Sequence, residues 1–251
     1  MTDRYRLGAN LATLANGLLG VGAIAYTLAG NKLWAMLLVA LAIGFDGLDG
    51  LLSRRSPSPA GPFGRIADSV ADAVSFGAAP AVMLAVHTSD TATWAPYATA
   101  MVLVGGTYLA AAIARLAYFT ARAHDLPHFL GVPTPESALA ISVLLLFHDT
   151  PAYATVSPLG AVIGALVVSV LMVVPIPYPK IRRGALLRLP SLATAALAAM
   201  VLVPLQFHPA SSSVLGRLAE VGAYGFLVGV AVYYVLGPFT ARGRPHPAEA
   251  S

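Results

Sequence analysis

Cysteine is absent from the 251 residues, which excludes disulfides and thiolate chemistry. Charge is scarce too. Asp, Glu, Lys and Arg make up 10% of the chain, where a soluble domain carries roughly 25%. The net charge of +4 is too small to suggest a nucleic-acid partner. Tryptophan occurs twice. Trp34 and Trp94, with Tyr233 and Tyr234, read as interfacial or packing aromatics rather than base-stacking platforms. The six histidines, His87, His124, His128, His148, His208 and His246, are scattered over loops and span ends and read as solvated.

What is present is apolar. Hydrophobic residues are 57% of the chain and mean hydropathy is +0.75. That length holds about eight spans of roughly 20 residues each, with short loops. The apolar runs fall at 8–29, 33–54, 64–87, 95–121, 136–147, 159–174, 186–205 and 215–239. A basic start before the first run is compatible with a signal peptide. The run is too long for an h-region and lacks a small-residue cleavage site before Asn31, so it reads as the first span. The expected fold is an all-α integral membrane bundle of about eight transmembrane helices, with a polar, disordered tail at 241–251.

Basic residues test that count. With the N-terminus in the cytoplasm, the inner segments hold Arg4 and Arg6, Arg54, Arg55 and Arg65, Arg115 and Arg122, Lys180, Arg182, Arg183 and Arg188, and Arg242 and Arg244. Of 15 basic residues, only Lys32 and Arg217 fall outside. This is the bias of the positive-inside rule. It predicts a protein of the cell membrane with both termini, and the segment around Arg54, facing the cytoplasm.

That segment carries the acids. Asp46 and Asp49 are three apart, Asp68 and Asp72 four apart, and on helices each pair shares a face. Beyond them, as far as the tail, the acids are Asp90, Asp125, Glu136, Asp149 and Glu220, all in expected loops or near span ends. Four carboxylates gathered at a membrane boundary repel one another unless a cation sits among them. An oxygen-only donor set with no Cys or His suits Mg²⁺ or Mn²⁺. Gly47, Gly50 and Gly64 open the backbone to a phosphate. Arg54 supplies a planar fork for phosphate oxygens. Together these describe a site for a metal-bound diphosphate. A cation or proton pathway is the alternative for intramembrane carboxylates, but it does not require the glycine and arginine spacing.

The whole pattern is Asp46-x-x-Asp49-Gly50-x-x-Ser53-Arg54, nine residues, then Gly64-x-x-x-Asp68-x-x-x-Asp72. It resembles the signature of the CDP-alcohol phosphotransferase family of integral membrane enzymes. Chance agreement at seven fixed positions is on the order of one in a billion. Ser53 stands where the family usually has Ala. The resemblance covers about the first 180 residues. It implies a six-helix core at 1–182, with two added helices at 183–240. It also implies transfer of a phosphatidyl group from a CDP-linked lipid to an alcohol, a homodimer, and two divalent ions. Asp46, Asp49, Asp68 and Asp72 would hold the ions. Asp72 would also be the general base. Asp49, Gly50, Ser53, Arg54, Gly64 and Asp68 would line the CDP diphosphate site.

Three further stretches resemble the phosphatidylserine synthase branch: Ser75-Phe76-Gly77-Ala78-Ala79-Pro80-Ala81, Gly131-Val132-Pro133-Thr134-Pro135, and Pro175-Ile176-Pro177-Tyr178-Pro179-Lys180. They imply CDP-diacylglycerol as donor and L-serine as acceptor. Inositol phosphate and glycerol phosphate are the alternative acceptors. The branch commonly reads Arg-Leu-Ala-Arg-Phe-Asn at the end of the fourth span. Here it is Arg115-Leu116-Ala117-Tyr118-Phe119-Thr120, without the second Arg and the Asn. Arg115, Arg122 and Lys180 are candidates for binding acceptor or lipid phosphate. The competing reading makes Arg115 and Arg122 topological anchors, and Lys180 with its neighbours an anionic-lipid patch.

Overall fold

The computed structural model describes residues 4–57, 61–87, 96–122, 128–149, 156–179 and 225. The spans expected at 186–205 and 215–239, together with Lys180, lie outside the described residues. Within them the chain forms α1 (Arg4–Leu28), α2 (Lys32–Ser53), α3 (Pro62–Ala85), α4 (Tyr97–Arg122), α5 (Thr134–Asp149) and α6 (Pro158–Val173). The first four are long and apolar enough to cross a membrane, and the last two are shorter apolar helices. Among the described residues the bundle is all-helical apart from one three-residue pairing described below.

Two short signals turn α1 into α2. Gly30 adopts φ +78, and Asn31 N–H reaches back to the Tyr26 carbonyl at 2.8 Å while Gly30 N–H bonds Thr27. This closes α1 with a left-handed glycine. The Asn31 side chain then accepts from Trp34 N–H and caps α2. The two helices run antiparallel: Gly8 faces Leu52, Thr13 faces Asp49 and Gly22 faces Leu38. The inward face of α1 is made of small residues, with Ala9, Ala12, Asn16, Gly20, Ala23 and Thr27 buried, which lets neighbouring backbones approach closely. Its outward face exposes Leu7, Leu11, Leu14, Leu18, Val21 and Leu28. In water such a stripe would be intolerable, whereas lipid makes it the expected exterior.

Helix α3 runs parallel to α1, with Gly17 against Ala71 and Gly20 against Ser75. It widens into a π-helical stretch at Ala73–Ala78. Pro80 lies just beyond and has no N–H to offer the carbonyl of Phe76 four residues back. Tyr108 of α4 fills that vacancy, its hydroxyl donating to the Phe76 carbonyl at 2.8 Å. Gly105 brings α4 close: a Cβ there would stand 2.6 Å from the Ala81 carbonyl oxygen. A small residue at such a crossing lets two helices pack closely, whereas the neighbouring Gly106 faces open space. The core between the helices holds Met36, Phe76, Leu84, Met101, Tyr108, Ile141, Leu145 and Phe147.

Two departures stand out. His87, read as solvated, is 1% exposed and meets the Tyr97 ring edge-on at 6.2 Å. It follows the last turn of α3, where the start of α4 covers it. The second is the pairing of β1 (His128–Leu130) with β2 (Pro177–Pro179), antiparallel, Phe129 opposite Tyr178. Gly131, at φ +71, continues it by donating to the Ile176 carbonyl at 2.9 Å, and Val132 donates to Leu171 at 2.9 Å. A side chain on Gly131 would collide with the Met172 carbonyl. Two of the proline-rich stretches noted in the sequence therefore lock onto each other and fix where α5 begins.

Candidate active site

The antiparallel α1–α2 hairpin and the parallel α3 bring the last turns of α2 beside the first half of α3. Asp46, Asp68 and Asp72 offer carboxylate oxygens that all lie within 4.8 Å of one another. Asp49, one turn along α2 from Asp46, is buried and its carboxyl group meets that of Asp68. All four sequence-predicted acids are thus in one place. One Asp68 oxygen, Oδ1, is buried with no hydrogen-bond partner. Like charges at this separation need protons or a cation between them. The orphaned oxygen and the all-oxygen donor set fit a hard divalent cation.

Two residues of α1, missed from sequence, steady the acids. Thr13 Oγ1 donates to Asp49 Oδ2 at 2.8 Å. Asn16 Nδ2 donates to Asp72 Oδ1 at 2.9 Å. Asn16 is fully buried, and its backbone carbonyl accepts from Ser75 Oγ at 2.7 Å. The spacing Thr13-x-x-Asn16 puts both polar groups on the buried face of an otherwise apolar span. Polar side chains facing inward at membrane depth are costly without a role, which is a signal that something polar meets them but not what.

The remaining predicted residues divide. Gly50 sits beneath Arg54: a Cβ at Gly50 would stand 3.5 Å from an Arg54 guanidinium nitrogen. Arg54 and Ser53 are exposed at the mouth of the site, and Gly64 lies half-buried in the first turn of α3. Arg115 of α4 is buried. Its Nη1 donates to Thr134 Oγ1 at 2.8 Å, and its guanidinium lies 4.5 Å over the Phe119 ring. It is within electrostatic range of Asp72, so it faces the site. Arg122 closes α4, and its side chain lies outside the described residues. Thr120, standing where the related branch commonly has Asn, contacts Ser69 Oγ at 2.7 Å and ties α4 to α3 beside Asp68.

A carboxylate cluster with Arg54 and Arg115 in electrostatic range, at one end of an apolar helical bundle, is the arrangement that phosphoryl-type transfer at a membrane requires. The sequence profile of the family described as CDP-alcohol phosphatidyltransferase matches residues 6–176, and the chain belongs to that family. It is similar to an archaetidylserine synthase of Methanothermobacter thermautotrophicus, 32% identical over 173 residues, covering 68% of this chain and 69% of that protein. It is also similar to a CDP-diacylglycerol–serine O-phosphatidyltransferase of Bacillus subtilis, 30% identical over 178 residues, covering 70% and 91%. The enzyme of the same name from Mycobacterium tuberculosis is 33% identical over 157 residues, 57% of this chain and 52% of that protein.

Proposed function

We propose that the chain transfers a phosphatidyl group from CDP-diacylglycerol to the hydroxyl of L-serine, giving phosphatidylserine and CMP. The observation that carries this reading is the convergence of Asp46, Asp68 and Asp72 beside a buried arginine, in a chain similar to enzymes named for that reaction. Asp46, Asp49, Asp68 and Asp72 would hold two divalent ions, Mg²⁺ or Mn²⁺. When bound, these supply positive charge to offset the diphosphate and its leaving group. Arg54, exposed above Gly50, pairs with diphosphate oxygens, and the bare backbones at Gly50 and Gly64 admit them. Ser53 lies at the same mouth.

Asp72 takes the proton from the serine hydroxyl. The serine oxygen forms a bond to the phosphatidyl phosphorus, the bond from that phosphorus to the CMP oxygen breaks, and CMP leaves with the electron pair. Asn16 holds the Asp72 carboxylate by one oxygen, which leaves the other for that proton. Arg115 pairs with the acceptor. Residues 1–182 form the transferase core, 183–240 two added helices and 241–251 a tail; the profile match ending at 176 supports that boundary. The site and both termini face the cytoplasm, where CMP and serine are soluble and the acyl chains stay in lipid.

The test is CMP release by protein purified in detergent, given CDP-diacylglycerol with serine, inositol phosphate, glycerol phosphate or no acceptor. The expected outcome is release with serine, lost in excess EDTA and restored by Mg²⁺ or Mn²⁺. No release with any acceptor returns the acids to an ion pathway. Release that survives chelation removes the metals.

A further inference from the structure

Glu136 lies in the first turn of α5, two residues after the Thr134 that Arg115 holds. Its Oε2 is buried with no hydrogen-bond partner, while its carboxylate also accepts from its own backbone N–H, which fixes its direction. It is within electrostatic range of Arg115 and of Asp46. A fifth carboxylate beside four others adds repulsion, and Glu136 lies outside the cluster of Asp46, Asp68 and Asp72. A buried carboxylate oxygen without a partner is costly to the fold, and a cationic donor brought by a ligand would satisfy it.

Resting on the serine reading above, we propose that Glu136 is the specificity residue for the acceptor's ammonium group, working with Arg115 on its carboxylate. The two form a charge-paired cradle for an α-amino acid. The acid and base ends of serine carry one charge of each sign, and the cradle offers the complement of both. The hydroxyl carbon then projects toward Asp72, which Arg115 also faces. A glycerol or inositol phosphate brings only negative charge and meets Glu136 repulsively, so the same carboxylate excludes those acceptors.

The experiment compares kcat/KM for L-serine with that for β-hydroxypropionate, which keeps hydroxyl and carboxylate and lacks only the ammonium. CMP release is measured for wild type and Glu136→Gln. In the wild type the analogue is expected to be poorer by about tenfold or more, the value of a charge-assisted hydrogen bond. In Glu136→Gln the serine KM rises and the two acceptors come within about threefold of each other. The KM for CDP-diacylglycerol and the Mn²⁺ activation midpoint stay as in the wild type. A merely structural role lowers both acceptors equally and keeps their ratio, which overturns the proposal. A shifted Mn²⁺ midpoint makes Glu136 a metal ligand and overturns it too. If Glu136→Gln does not fold, Glu136→Asp keeps the charge on a shorter arm, and an unchanged serine KM there is equally fatal. A wild type that turns over glycerol phosphate and not serine sinks the serine reading itself. A wild type that uses serine while the Gln variant keeps full discrimination sinks only the role of Glu136.

Discussion

Replacing Asp72 by Asn changes one atom and leaves a side chain that still fits beside Asn16 but cannot take up a proton. Asp72→Asn should cost at least about 100-fold in CMP release while the protein elutes from size exclusion as the wild type does. Robust turnover by that variant would dismiss Asp72 as the base. Asn16 acts through Asp72, so its loss should be milder. Asn16→Ala is expected to lower kcat by about 10- to 100-fold, the usual effect of removing a group that orients a ligating carboxylate, with the Mn²⁺ midpoint raised. A variant with wild-type kcat and midpoint would leave the 2.9 Å bond without a role. The four acids were legible because their spacing declares a shared face and their apolar neighbours make them conspicuous. Thr13 and Asn16 were harder to read because their partners lie 36 and 56 residues away, and nothing local reveals which helix will pass beside them. Glu136 was noticed only as an acid near a span end; its burial depends on where α5 starts, which the β1–β2 pairing decides.

At the scale of the element, α3 shows how one proline shapes a helix that carries two of the four clustered acids. Pro80 announces a missing hydrogen bond, yet the sequence does not say whether the helix kinks, breaks or widens. Here it widens over Ala73–Ala78, and Tyr108 satisfies the Phe76 carbonyl. Tyr108→Phe leaves that buried carbonyl unpaired, at a cost of about 1–3 kcal/mol. It should appear as a lower unfolding midpoint in detergent, with CMP release retained at low temperature. An unchanged midpoint would mean that the widened turn satisfies itself. Span limits came within a few residues of the observed helices because hydropathy and capping are local. The contact between the two proline-rich stretches was not legible, since three-residue strands have too little pattern to announce a partner about fifty residues away.

For the whole molecule, charge placement predicts an orientation, and the lack of cysteine makes it cleanly testable. Single cysteines at Ala29, Pro57 and Ala250 can each be probed with a membrane-impermeant maleimide. Ala29→Cys should label in intact cells, and Pro57→Cys and Ala250→Cys only after permeabilisation. Labelling of Ala250→Cys in intact cells would give an odd number of spans and undo the eight-helix arrangement. Ala29 and Pro57 are both exposed, beyond opposite ends of α2, so the reporters themselves do not disturb packing.

Composition alone determined that this chain lives in lipid, because a polypeptide with so few charges cannot present a wetted surface. Spacing determined the acids, the glycines and Arg54, since helical periodicity turns intervals of three and four into shared faces. Only the tertiary structure decided that α1 supplies the groups steadying Asp49 and Asp72, that Arg115 looks inward, and that Glu136 joins them. Those placements depend on which helices run parallel and how closely small residues such as Gly17, Gly20 and Gly105 let them approach. That information resides in pairs of distant positions, and no single stretch of the chain contains it.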